Sequence, residues 1–452
     1  MADFDAKNTP ENNTNDDFGG KQLSENATYM MHMEEYVPTP STKKPDYTKR
    51  RILVGSLALI IVILLIACIC AVFSKSDHDA ENLFSDGMAV FSKINAKDFS
   101  LTQGVINKNG KVITDARYTS LEFVGEKLIK AKKPVKDKGN SIIMTALSKR
   151  NEKTVTDFKY TEMSAFSEGV IAVQKSNKWG YMNKRGKWVI EPKYLYASDF
   201  SEGMAAVMAE TDGKYLYGYI DQKGKWVIKP RFEAAGEFDG KRATVCFGGK
   251  WGVIDRNGKW IIKNKFSAIG NFSEDMAAAL NDKGKWGYID KYGSWVIKAK
   301  YAAAAPFSDG LARVLKGDTW GYINEKGKWA IDNDFSDAGD FCGGVAYAKE
   351  VDTDKYGYID KKGRWVIEPR FDFASSYDGS LALVSDGKLY GYINKKGKWV
   401  IKPQYKNATD FYKDGYAVVC NKNDKWFVIN KKGKNILKKE FDGIRDYYSF
   451  GN

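Results

Sequence analysis

The chain has 452 residues, of which 43% are hydrophobic and 14% aromatic, and its formal net charge is +14. This share of aromatic residues excludes a chain that is disordered throughout, because such chains lack the apolar surface that offsets chain entropy. The whole sequence contains only two histidines and five cysteines. Most chemistry based on imidazole or on zinc–thiolate sites is therefore excluded.

The first 51 residues divide into an acidic part and a basic part. Residues 1–42 carry two lysines against eight acids, and residues 43–51 carry five basic residues against one acid. The acidic part is Asn-rich and poor in branched aliphatic residues, which is typical of disorder. We expect residues 1–51 to form a disordered acidic tail with a basic end next to the membrane.

The segment from Ile52 to Phe73 contains no charged residue. As an α-helix it would be about 33 Å long, enough to cross a bilayer once, so it predicts a transmembrane helix. The basic residues before it predict a cytoplasmic N-terminus and an extracytoplasmic chain after a linker at 74–83, by the positive-inside rule. The expected location is thus a bacterial cell membrane, and lipoprotein processing at Cys68 stays open.

From residue 84 onward the sequence repeats itself. Two degenerate units occupy residues 84–165, and eight clear units occupy residues 166–452. The clear units open on an aromatic residue at Phe166, Phe200, Phe238, Phe272, Phe307, Phe341, Tyr377 and Phe411. Each unit reads approximately F-S-E-G-x-A-x-V and then W-G-Y-I-D-x-x-G-K-W-V-I-x-P-x-F. We count ten units, and weak end units are expected because a terminal repeat packs on one neighbour only.

The second half of each unit predicts a β-hairpin. An Asn or Asp stands three residues before a glycine, as Asp290 stands before Gly293, and β-branched and aromatic residues lie on both sides. This pattern is typical of a type I turn followed by a glycine with positive φ. The G-x-A-x-V stretch adds a third strand, and a three-stranded meander of about 35 residues must stack on neighbours to bury a face.

The predicted fold is therefore an all-β array of tandem three-stranded antiparallel meanders, with one transmembrane helix before it. We expect an open solenoid-like or superhelical stack, because ten units exceed the four to eight blades usual in a propeller. A propeller-like ring is the alternative. The units resemble the WG repeat family of bacterial proteins, which implies a binding or scaffolding array rather than a defined activity. Departures from the motif include Tyr217 for the first Trp, Phe427 for the following Gly and Asn435 for the second Trp.

Two rows of side chains are candidates for ligand binding. The second tryptophan of the motif could offer a row of platforms to sugar rings, although a core between units explains the same residues. These residues are Trp188, Trp226, Trp260, Trp295, Trp329, Trp365 and Trp399. The basic residue after the turn glycine could form a stripe that attracts anionic polymers, although solubility explains it equally. These residues are Lys187, Lys225, Lys259, Lys328, Arg364 and Lys398.

Catalysis is not expected. The repeats contain no histidine, and the turn position accepts Asn and Asp alike, which a general acid or base does not. Cys246, Cys342 and Cys420 are expected to be buried strand residues, and we expect no cofactor or metal. The functional hypothesis is a membrane-anchored cell-surface module that binds an anionic cell-wall polymer or glycan and no nucleic acid. The alternative is a protein-interaction scaffold or sensor coupled to the cytoplasmic tail.

Overall fold

The structure is a computed structural model, and it describes residues 82–137, 140–149, 153–445 and 447–448. Every regular element in these ranges is a β-strand, and the described residues contain no helix that could cross a membrane. The tail predicted at 1–51, the transmembrane segment predicted at 52–73 and most of the linker predicted at 74–83 lie outside the described residues.

The two degenerate units at the N-terminal end of the array are folded as sheets. Unit 1 contains β1 (Met88–Ile94), β2 (Leu101–Asn107) and β3 (Val112–Tyr118). Unit 2 contains β4 (Ser120–Gly125), β5 (Leu128–Asp137) and β6 (Asn140–Lys149). In unit 2 the segment after β6 adds only isolated bridges to it, one of them between Ser148 and Thr154.

Units 3 to 6 each form a separate four-stranded antiparallel sheet with the strands in sequence order. Unit 3 contains β7 (Glu162–Ser167), β8 (Val170–Lys175), β9 (Lys178–Asn183) and β10 (Trp188–Tyr194). Unit 4 contains β11 (Tyr196–Ala197), β12 (Met204–Thr211), β13 (Lys214–Asp221) and β14 (Trp226–Phe232). Unit 5 contains β15 (Ala234–Ala235), β16 (Arg242–Phe247), β17 (Lys250–Asp255) and β18 (Trp260–Phe266). Unit 6 contains β19 (Ala268–Ser273), β20 (Met276–Leu280), β21 (Trp286–Asp290) and β22 (Trp295–Tyr301).

Units 7 and 8 share one sheet, because the long strand β26 ends unit 7 and begins unit 8. Their strands are β23 (Ala303–Ala304), β24 (Leu311–Lys316), β25 (Thr319–Asn324), β26 (Trp329–Ala338), β27 (Val345–Glu350), β28 (Tyr356–Asp360) and β29 (Trp365–Phe371). Unit 9 contains β30 (Phe373–Ala374), β31 (Leu381–Ser385), β32 (Tyr390–Asn394) and β33 (Trp399–Tyr405). Unit 10 contains β34 (Asn407–Ala408), β35 (Tyr416–Cys420) and β36 (Trp426–Asn430), and the hairpin β37 (Gly443–Ile444) and β38 (Tyr447–Tyr448) follows it.

The predicted three-stranded meander is wrong, because the complete unit has four strands. The additional strand comes first and is only two residues long in several units. In unit 4 it pairs Tyr196 with Met208 and Ala197 with Val207. Two residues are too few to show the alternation of apolar and polar positions that marks a strand in a sequence. The predicted link between units therefore contains the first strand.

The predicted open stack is also wrong, because the two ends of the array pair with each other. The strand β37 adds to β1, with Ile444 opposite Phe91. The backbone N–H of Ile94 donates to Asp442 Oδ2 at 2.9 Å, and the N–H of Arg445 donates to the carbonyl oxygen of Val90 at 2.9 Å. Gly443 and Ile444 therefore supply the first strand of unit 1 and close the array.

The hydrophobic core follows the same cyclic order. In the described residues, hydrophobic clusters fill ten boundaries between neighbouring units, whereas an open row of ten units has nine. The tenth cluster joins Phe84 and Ile106 of unit 1 to Val418 and Trp426 of unit 10. Closure thus buries the two faces that an open row would leave exposed, which is favourable because burial of apolar area drives folding.

The position after the first aromatic residue of the motif requires glycine for a steric reason. A β-bulge between β13 and β14 brings the fourth strand close to Gly218, and a Cβ there would lie 2.5 Å from the carbonyl oxygen of Ile228. Strand pairing places Ala146 and Phe427 at the equivalent positions of units 2 and 10. In these two units the fourth strand is reduced to isolated bridges. The glycine is therefore the residue that lets the fourth strand approach.

Candidate functional site

The turn between the third and fourth strands is held by its Asn or Asp side chain. In unit 4, Asp221 Oδ1 accepts hydrogen bonds from the backbone N–H groups of Lys223 and Lys225, both at 2.9 Å. Gly224 donates to the Asp221 carbonyl oxygen and has a φ of 76°. Asn183 accepts the same pair of bonds in unit 3. The predicted turn and its positive-φ glycine are confirmed, and Asn and Asp serve it equally.

These turns and the loops between first and second strands lie on one side of the ring, which we call the turn face. They share a side because alternate turns of a meander lie at the same end of the sheet. Contacts between units agree with this placement. Lys361 Nζ of unit 8 donates to the carbonyl oxygen of Asp309 in unit 7, and Lys395 Nζ of unit 9 donates to that of Gly343 in unit 8 at 3.2 Å.

All six basic residues predicted as a binding row are exposed and lie on the turn face. They are Lys187, Lys225, Lys259, Lys328, Arg364 and Lys398. Arg364 differs from the others because its guanidinium pairs with Asp360 at 2.6 Å. The hydrogen bond from Arg364 lowers the pKa of the Asp360 carboxyl. The row therefore exists over units 3 to 9, with one of these residues in each turn except that of unit 6, where Ser294 stands in its place.

The turns of units 8, 9 and 10 each carry three cations, as the turn of unit 3 also does, and together these three consecutive turns form the longest run of cations on the turn face. We call this set the basic arc, and it consists of Lys361, Lys362, Arg364, Lys395, Lys396, Lys398, Lys431, Lys432 and Lys434. Lys362, Lys396 and Lys432 are exposed. Because the array is closed, the arc continues to Lys108 and Lys111 in the turn of unit 1. The sequence already shows the lysine pairs that precede the turn glycines of units 8, 9 and 10, and the fold places these pairs in adjacent turns.

The tryptophans of the second motif position are half-buried between units. Trp226 packs edge-to-face on Tyr194 of the preceding unit, with ring centroids 5.7 Å apart, and Trp295 packs in the same way on Phe266 at 5.3 Å. The remaining five, which are Trp188, Trp260, Trp329, Trp365 and Trp399, make equivalent contacts. The structure thus gives each ring a packing partner, and ligand binding by these rings stays a prediction.

Hydrogen bonds from the motif residues link several pairs of neighbouring units. The buried Tyr219 donates its hydroxyl to the carbonyl oxygen of Gly236 at 2.8 Å, and burial raises the Tyr219 pKa. Ser201 Oγ donates to the carbonyl oxygen of Phe238 at 2.6 Å, and Glu202 accepts from the N–H of Lys241 at 2.9 Å. We call the Ser–Glu pair the clamp. Clamp contacts also link units 3 and 4, units 6 and 7, and units 7 and 8.

The three cysteines of the array do not share one environment. Cys246 and Cys420 are buried, as expected, whereas Cys342 is exposed, so that part of the expectation is wrong. Cys342 stands at the clamp serine position of unit 8, on the turn face. Burial, and then the hydrogen bond to Glu233, raises the pKa of the Cys246 thiol to about 12. Within the described ranges no group of His, Cys, Asp and Glu side chains could hold a metal ion.

Comparison with known proteins identifies the repeats. The family described as "WG containing repeat" matches ten segments, at residues 104–133, 147–179, 179–215, 217–251, 251–285, 286–320, 320–350, 356–390, 390–426 and 426–451. No curated protein matches the chain.

Solved structures that are similar to the chain include a eukaryotic initiation factor, with 11% identity, a TM-score of 0.47 and coverage of 81% of this chain and 98% of that one. The tricorn protease has 14% identity and a TM-score of 0.28, and the match covers 77% of this chain and 47% of that one. BamB from Moraxella catarrhalis has 10% identity and a TM-score of 0.31, and the match covers 67% of this chain and 97% of that one.

Proposed function

The chain belongs to the WG containing repeat family, and on that premise we propose that it is a non-catalytic binding protein whose turn face captures an anionic polymer of the bacterial cell envelope. The observation that supports this proposal is the basic arc. Nine cations lie in three adjacent turns, and Lys362, Lys396 and Lys432 are solvent-exposed. Such a surface attracts a polyanion by long-range electrostatics, which salt screens.

The proposal relies on the cations more than on the tryptophans. Each tryptophan of the second motif position already packs against an aromatic ring of the preceding unit, as Trp399 packs on Phe371 at 5.8 Å. Lys396 and Lys432, by contrast, extend from turns into solvent. An anionic polymer that follows the turn face could therefore contact several units at once, and the aromatic edges would add to this binding rather than provide it.

Replacement of Lys362, Lys396 and Lys432 by Asn is expected to weaken binding of purified teichoic acid about tenfold at low salt. Each exposed charge pair contributes roughly 0.5 kcal/mol, and three of them sum to about a tenfold change. Asn257 occupies the same turn position in unit 5, so the substitutions suit the turn. Binding is measured by retention on immobilised teichoic acid across a salt titration.

The matched control replaces Lys178, Lys214 and Lys388 by Asn. These lysines are exposed in the hairpins between second and third strands, at the opposite end of the sheets, so the net charge changes equally. We expect the control to bind as the parent does. Equal loss in both variants would contradict a role for the turn face, and no binding by the parent would contradict the proposal and favour the protein scaffold.

We also propose that the ring lies outside the cytoplasm and is anchored to the membrane. The support is in the sequence, where the uncharged run Ile52–Phe73 follows the basic residues at 43–51. An extracytoplasmic ring would bring the basic arc to the envelope polymers that it is proposed to bind.

Cys342 provides a test of this location. A membrane-impermeant maleimide is expected to label Cys342 in intact cells, because its side chain is exposed while Cys246 and Cys420 are buried. The raised pKa of Cys246, about 12, also keeps that thiol protonated near neutral pH. A Cys342→Ser variant identifies the signal, since loss of labelling in it assigns the site. Labelling that requires permeabilised cells would contradict an extracytoplasmic ring.

A further inference from the structure

The boundary between units 5 and 6 lacks the clamp that links units 3 and 4, units 4 and 5, units 6 and 7, and units 7 and 8. Asp239 stands where the clamp serine would be, and Gly240 stands where the clamp glutamate would be. The equivalent glutamates have positive φ angles, 51° at Glu168 and 52° at Glu202, and Gly240 keeps this geometry with 57°. The backbone is therefore unchanged, and the difference is that Asp239 replaces the serine and that Gly240 has no side chain to bridge the boundary.

A cleft of about 410 Å³ opens at this boundary. Three carboxylates, Glu237, Asp239 and Asp275, and two cations, Arg242 and Lys291, line it, beside the half-buried ring of Phe272. Arg242 lies 5.9 Å from the Phe272 ring centroid. Burial, and then the charge of Asp199, raises the pKa of Glu237. Small-molecule sites combine an apolar surface with a few convergent polar groups in clefts of about 300–1,000 Å³.

The polar side chains of the cleft are available to a ligand. In the described part of the chain none of the three carboxylates forms a side-chain hydrogen bond or an ion pair, and the same holds for the charged groups of Arg242 and Lys291. At the neighbouring boundary, by contrast, Ser201 and Glu202 are both engaged across the units. Convergent donors and acceptors that form no hydrogen bond or ion pair within the protein are the groups that fix the orientation of a bound molecule.

We propose that the cleft between units 5 and 6 binds one sugar residue, and an amino sugar in preference to a neutral one. Sugar hydroxyls both donate and accept, so they can engage the carboxylates and the cations together. The carbon face of a sugar ring can pack on the Phe272 ring, whose face attracts polarised C–H groups. Three carboxylates against two cations leave the lining net negative, which favours a ligand amine. This site is independent of the basic arc and of polymer binding.

The test measures binding of glucosamine and glucose to the full-length protein by isothermal titration calorimetry. We expect saturable binding of both sugars, with glucosamine bound at least tenfold more tightly. The double variant Asp239→Ser and Gly240→Glu restores the clamp and is expected to weaken binding of both sugars at least tenfold. Its thermal midpoint should not fall, because Ser201 and Glu202 occupy the same positions in unit 4.

A second variant keeps the proposal testable if the clamp variant does not fold. Asp275→Asn removes one carboxylate without changing the shape of the side chain and is expected to abolish the preference for glucosamine while glucose still binds. Parent protein that binds neither sugar would overturn the proposal. So would a folded clamp variant with unchanged affinity, because the sugar would then bind elsewhere. Retained teichoic acid binding in either variant would show that the basic arc is a separate site.

Discussion

A chain that ends at Asp442 is expected to lose the closing strand β37 and to expose the edge of β1 in unit 1. The truncation removes the pairing of Ile444 with Phe91 and the fully buried side chain of Ile444. Stability of a repeat array is approximately a sum of unit and boundary contributions, so weakening of the boundary between units 10 and 1 destabilises these two units first. We expect amide exchange in Met88–Ile94 to accelerate about hundredfold, which corresponds to about 2.8 kcal/mol.

The measurement is hydrogen exchange followed by mass spectrometry, with a point-variant pair as control. Ile444→Ala and Ile289→Ala each truncate a fully buried isoleucine side chain. Each should lower the free energy of unfolding by about 2–5 kcal/mol. Only Ile444→Ala lies at the closure, so only this variant should loosen Met88–Ile94 selectively. Unchanged exchange of these residues in the truncated chain would show that unit 1 does not depend on the closing strand.

Gly287→Ala is expected to detach the fourth strand of unit 6 and to lower the free energy of unfolding by about 3 kcal/mol. A Cβ at Gly287 would lie 2.5 Å from the carbonyl oxygen of Ile297 and 2.6 Å from the backbone nitrogen of Ala299. Neither is the movable end of a side chain, so the strand itself must shift. Units 2 and 10 show the result in this chain, because they have Ala146 and Phe427 at this position and only bridges in place of the strand.

Gly284→Ala separates this steric effect from backbone strain. Gly284 has a φ of 68°, and nothing lies within 4 Å of a Cβ placed there. We therefore expect a loss of only about 1 kcal/mol from the positive φ. Chemical denaturation compares the two variants, and exchange in Trp295–Tyr301 reports on the strand. If both variants lose the same stability, close approach of the fourth strand does not explain the glycine.

Parts of the candidate site could be read from the sequence, and others could not. The exposure of Lys187 and Lys398 followed from their place beside a turn, because a hairpin turn projects from the sheet. Trp226 packs on Tyr194, which belongs to the preceding unit. The residue spacing within one unit does not predict which residue of a neighbouring unit a tryptophan will contact. The cleft beside Gly240 was missed for a similar reason. Asp239 and Gly240 look like tolerated variation until Ser201 and Glu202 are seen to bridge two units.

The sequence by itself determined the β-hairpin, the turn and the repeat, because these depend on residues a few positions apart. Asp221 holds its own turn, and Gly224 takes the φ that its place requires. The two-residue first strand and the closed array were decided only by tertiary structure. Ile444 pairs with Phe91 although almost the whole repeat sequence separates them, and the motif is weak around both residues. Closure occurs because each unit has two faces to bury and the terminal units can bury their last faces only against each other.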